Sequence, residues 1–66
     1  MVDLYQNPLK QGDLVQSFRY DLGKCLIIVG DDGELEYESV ATGKRVSWVR
    51  MIDASTNFQK VKKIYD

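Results

Sequence analysis

Short apolar stretches alternate with polar turns along this chain, and within most stretches the period is two. Residues 34–40, "ELEYESV", show it most clearly. In an extended chain Glu34, Glu36 and Glu38 fall on one side, and Leu35, Tyr37 and Ser39 on the other. Residues 24–29, "KCLIIV", are apolar almost throughout, as a central strand would be. "LVQSFRY" predicts a first strand over 14–20, and "RVSWVRMI" a fourth over 45–52. In that fourth segment Val46, Trp48 and Arg50 share one side, and Ser47, Val49 and Met51 the other. Apolar groups on both sides suit a strand closing a barrel, or one with a face put to other use. Turn chemistry falls between the segments, at Asn7-Pro8, Gly12-Asp13, Asp21-Leu22-Gly23, Gly30-Asp31-Asp32-Gly33 and Thr42-Gly43.

The last stretch, "DASTNFQKVKKIYD", reads two ways. Phe58, Val61 and Ile64/Tyr65 have helical spacing, with Asp53 and Ser55 as N-caps, which gives a C-terminal helix. The favoured alternative is a short helical turn over 53–58 and a closing strand over 59–64. The whole pattern predicts a mostly β, five-stranded antiparallel barrel occupying 11–64 of one small domain, with residues 1–10 as an N-terminal arm.

The stretches "LKQGDLVQSFRYDLGKCLIIVGDDGELEYES", "TGKRVSWVRMID" and "VKKI" resemble a small SH3-like, KOW-type barrel. Such domains open with a "GD-x-V" strand, here Gly12-Asp13-Leu14-Val15, and turn at a glycine, here Gly23, into a hydrophobic second strand. A 3₁₀ turn, here Asp53–Thr56, then precedes a closing strand, here Val61–Ile64. The chain departs from the KOW pattern in lacking a second glycine near Lys24–Cys25. Freestanding barrels of this length are also similar to small proteins encoded by tailed bacteriophages. The resemblance implies a non-enzymatic, protein-binding module, an accessory protein that in a phage would act in the host cytoplasm.

Composition narrows the chemistry. A chain of 66 residues buries only about 60% of the surface its unfolded form exposes, so the core is thin. Cys25 is the one cysteine and there is no histidine, which excludes an intrachain disulfide and a tetrahedral zinc site. Cys25 sits in the most apolar segment, where a thiol is an inert core group. Without histidine the usual general base is missing, so no enzyme is expected. No glycine-rich phosphate loop stands out either, and no cofactor is expected. "MVDLYQNPLK" has no basic region followed by an apolar run, and the longest apolar run is Cys25–Val29. A reducing cytoplasmic setting, away from membranes, is the resulting expectation.

The net charge of −1 conceals an asymmetry. Residues 1–38 carry eight acids and three bases, and residues 39–66 six bases and two acids. "IIVGDDGELEYES" holds five of the acids, but lacks the Asp-x-Asp-x-Asp-Gly spacing of a calcium loop. Gly-Asp-Asp-Gly is hairpin-turn chemistry, with Gly33 suited to a left-handed position. The glutamates then face solvent by parity, or form an acidic stripe for a basic partner. With a two-residue Thr42-Gly43 loop, Glu38 would lie opposite Ser47 and Glu36 opposite Val49, with Arg45 diagonal to Glu38. A bulge at Gly43 would set Glu36 opposite Trp48.

Three functional readings follow. In the first, Tyr37 and Trp48 meet on one face and, flanked by Arg45 and Arg50, bind another protein through an aromatic groove. In the second, Lys44, Arg45, Arg50, Lys60, Lys62 and Lys63 contact nucleic-acid phosphates, although a pI of 5.2 lacks the usual basic excess. In the third, exposed strands pair edge to edge in a homo-oligomer.

Overall fold

The computed structural model describes residues 1–65; the C-terminal acid, Asp66, lies outside them. Five strands form one antiparallel sheet: β1 (Leu14–Ser17), β2 (Lys24–Val29), β3 (Leu35–Ser39), β4 (Arg45–Ser47) and β5 (Val61–Lys63). Their order is β4-β3-β2-β1-β5. The first four strands form a meander, and the last returns to lie beside the first.

Parity sorts the side chains as the alternation predicts. Val15 pairs with Cys25, and Ile27 with Tyr37, which in turn pairs with Val46. All five point to one face and are buried. Val61 from β5 joins them opposite Ser17. Leu9, Leu22 and Met51, from the connections, complete the core. Each such aliphatic side chain, fully buried, contributes about 1.5–3 kcal/mol.

The hairpins show how local chemistry sets register. Between β2 and β3, the Gly30 amide donates to the Glu34 carbonyl at 2.8 Å and Gly33 adopts φ +82°. The Asp32 carboxylate accepts the Glu34 amide at 3.0 Å, so Asp32 builds the turn from within. Between β3 and β4 the loop is longer than Thr42-Gly43. The Ser39 amide donates to the Lys44 carbonyl at 2.8 Å, leaving Val40–Gly43 as the loop, with Gly43 at φ +77°. The register shifts by two residues, so parity survives. Glu38 stands opposite Arg45 and Glu36 opposite Ser47, and neither expected pairing occurs.

Three element boundaries differ from expectation. The first strand ends at Ser17 rather than Tyr20, because the Ser17 hydroxyl donates to the Arg19 carbonyl and accepts the Arg19 amide. The fourth ends at Ser47 rather than Ile52. There the Ser47 hydroxyl accepts the Val49 amide and starts a 3₁₀ turn, Trp48–Met51. The helical element thus precedes 53–58, which is an irregular turn; among the described residues no C-terminal helix forms, and the last strand is confined to Val61–Lys63. Among the described residues no ladder joins β4 to β5. The chain leaving the 3₁₀ turn instead meets the residues before β5, through one bridge, Ile52 to Gln59, and a bond from the Lys60 amide to the Met51 carbonyl.

Residues 1–10 are a packed part of the body rather than an arm. Val2 bridges Pro8, and the intervening loop turns at Gln6, φ +66°. Asp3, 0% exposed, fills that loop. Its carboxylate accepts the amides of Tyr5 and Asn7 at 2.8 Å, the Asn7 side-chain amide at 3.0 Å and the Lys63 amide at 2.8 Å. The Leu4 amide donates to the Val61 carbonyl and the Gln59 amide to the Val2 carbonyl. These bonds occupy the side of β5 turned away from β1, so that edge is covered.

Candidate functional site

Of the aromatic pair predicted to share a surface, only Trp48 reaches solvent. Tyr37 is 0% exposed and belongs to the core. Its hydroxyl donates to Gln59 Oε1 at 2.7 Å, and Gln59 is itself buried. Burial, then the neighbouring Cys25 thiol and Asp3 carboxylate, push the Tyr37 phenol well above its ordinary pKa. Tyr37 is therefore a structural residue and not a contact residue. A tyrosine in the middle of a three-stranded stretch, on the apolar side by parity, has nowhere else to go.

Trp48 is placed differently. It opens the 3₁₀ turn, packs partly against the core and keeps part of its ring in solvent. Its indole N–H donates to Glu34 at 3.1 Å. Trp48, Leu35, Glu34 and Met1 line an open cleft of about 270 Å³. Val29, opposite Leu35 in the ladder, is also exposed. An apolar surface thus runs along one end of the sheet, beside the acidic β2–β3 hairpin.

The basic residues divide. Arg45 forms an ion pair with Glu38 at 2.8 Å across β3 and β4, and the hydrogen bond and charge of Glu38 raise its already high pKa. Arg50 is exposed on the 3₁₀ turn, and its carbonyl is held by Arg19. Lys62 and Lys63 point to opposite faces of β5. The Lys62 ammonium lies 5.7 Å from the Tyr5 ring centroid. Lys63 pairs with Asp13 at 3.5 Å, donates to the Pro8 carbonyl at 3.4 Å and lies 5.1 Å from the Tyr65 ring centroid. Lys60 is half-buried before β5, and Lys44 stands on the β3–β4 turn, three strands away in sheet order. No continuous basic stripe is assembled.

The sequence reading missed the β1–β2 loop. Phe18 and Tyr20 are 52% and 45% exposed, and Tyr20 and Asp21 adopt φ +61° and +53° in succession. A bulky residue in that region is uncommon and strained. Arg19, between the two aromatics, donates to the carbonyls of Arg50 at 2.7 Å and Ile52 at 3.4 Å, tying the loop to the 3₁₀ turn. Ser17, able to end a strand with its own hydroxyl, is the one sequence signal for it.

Cys25 is buried, and desolvation raises its pKa. Among the described residues no three acidic or thiol side chains converge as a metal site requires, and no helix is long and apolar enough to cross a membrane. No protein-family model, curated protein or solved structure matches the chain.

Proposed function

We propose that this chain is a non-enzymatic β domain that works by binding another protein, with the Trp48 end of the sheet as its contact surface. One observation carries the reading. The single tryptophan of a chain with a thin core is only partly buried, at the lip of a cleft, and is fixed there by Glu34. Tryptophan is among the residues enriched at the energetic centres of protein interfaces. A 3₁₀ turn does precede the last strand, at Trp48–Met51 rather than at the Asp53–Thr56 that the SH3-like resemblance implies. The scattered, partly neutralised lysines weigh against the nucleic-acid reading. The covered β5 edge and the three-residue β4 weigh against edge-to-edge assembly.

The test compares wild type with W48L in affinity capture, with folding checked by circular dichroism. A partner retained by wild type and lost by folded W48L supports the reading. A partner held equally by both overturns the face. A W48A chain that cannot fold would mark the ring as core and count against it.

A further inference from the structure

Resting on that reading, we infer that the cleft receives a basic, extended segment of a partner protein, with a lysine or arginine side chain laid on the Trp48 ring and its charge toward Glu34. Three features of the site point there. First, the cleft is about 270 Å³ and open, below the roughly 300–1,000 Å³ typical of small-molecule sites, so it suits side chains of a passing peptide. Second, the indole N–H, the group that would otherwise bond a partner's carbonyl, is already given to Glu34. What remains accessible of the ring then has a carboxylate at its edge, an arrangement that favours a cation. Third, the hairpin beside it is acidic. Asp31, Asp32, Glu34 and Glu36 lie on the hairpin that forms one wall of the cleft, and among the described residues none has an ion pair. Of the cations on this side, Arg45 is paired with Glu38 and also feels Glu36 and Asp31, which leaves Arg50, exposed on the 3₁₀ turn, as the cation a partner would have to avoid. Met1 and Leu35 supply the apolar floor for the aliphatic stem of the bound side chain, or for an apolar neighbour in the same segment.

The probe is a short peptide of alternating lysine and leucine, compared with its glutamate–leucine and serine–leucine counterparts. Binding is read from Trp48 fluorescence, which reports one ring, and from anisotropy of the labelled peptide. The expected result is saturable binding of the lysine peptide only. It should weaken about tenfold between about 20 mM and about 300 mM NaCl. It should also weaken about tenfold in D31N/D32N/E34Q, as loss of a few exposed ion pairs would give. These three sites are exposed, and the amide oxygen introduced by E34Q can still accept the indole N–H. No binding of the lysine peptide, equal binding of the glutamate peptide, or indifference to salt and to the triple variant would each overturn the inference. Saturable binding of the serine–leucine peptide, lost in folded W48L, would overturn the basic specificity while leaving the Trp48 face standing. Failure of W48L to alter any binding would remove both.

Discussion

Replacing Asp3 tests the account of how the chain's first residues are held. Its buried carboxylate accepts four hydrogen bonds, three from backbone amides and one from the Asn7 side chain. D3N keeps the shape. One oxygen can still serve two donors, but the new NH₂ group faces the other two. Hydrogen bonds to a charged group contribute about 1.5–3 kcal/mol each, and a buried donor left without a partner costs about 1–3 kcal/mol. Part of the loop can hydrate, since Tyr5 is exposed, so the expected loss is about 2 kcal/mol for D3N and about 3 for D3A. A domain of this size has roughly 3–10 kcal/mol in all, so either loss is readily measured. Urea unfolding followed by Trp48 fluorescence gives the number, and hydrogen exchange at the Lys63 amide locates it. pH supplies a second readout. Burial pushes the Asp3 carboxyl up, but the bonds from Lys63, Asn7 and Tyr5 together hold it below its ordinary 3.8. With the folded value depressed, the contribution is complete above 3.8 and is lost as pH falls through the folded value. D3N should flatten that acid limb. A D3N protein within about 0.5 kcal/mol of wild type, with its acid limb unchanged, would refute the reasoning.

Other substitutions probe the remaining parts. Y37F should lose about 1–3 kcal/mol in chemical denaturation, because Gln59 Oε1 is left buried without its donor. Wild type should lose stability as pH rises past 10, the ordinary tyrosine value, since the unfolded chain ionises Tyr37 and the folded one does not; Y37F should shift that alkaline limb upward. Y20N should raise stability by about 0.5–1 kcal/mol in the same assay, as asparagine tolerates φ +61° better than tyrosine. R19A should lose about 1–2 kcal/mol and speed hydrogen exchange in the 3₁₀ turn, whose carbonyls it clamps.

Much of the sheet was legible because period two is a strong constraint wherever one face is buried. "KCLIIV" gave β2 with its observed bounds, and the alternation of 34–40 put Tyr37 inward and Glu36 and Glu38 outward. The same parity argument, followed to its end, denies Tyr37 any role at the surface. What was hidden depended on single side chains acting on nearby backbone. Ser17 and Ser47 each end a strand by bonding a residue two positions on. After Ser47 the two-sided apolar pattern of 45–52 becomes a short strand plus a turn, which changes where Trp48 points. The role of residues 1–10 rested on a carboxylate meeting an amide 60 residues away, which no local pattern encodes. Trp48 itself was singled out, but its partner Glu34 was read only as part of an outward stripe.

The bond from the Lys63 amide to Asp3 places the beginning and the end of the described chain side by side. Circular permutation follows directly. A flexible linker from residue 65 to residue 1 would join segments already bonded through Asp3 and Lys63, and new ends could be opened at the exposed Val40–Gly43 loop without cutting the β2–β3 hairpin or the 3₁₀ turn. In such a rearranged protein the Asp3 clasp would become a contact between neighbours in sequence. It would close early in folding instead of waiting for the whole sheet to gather its two extremes.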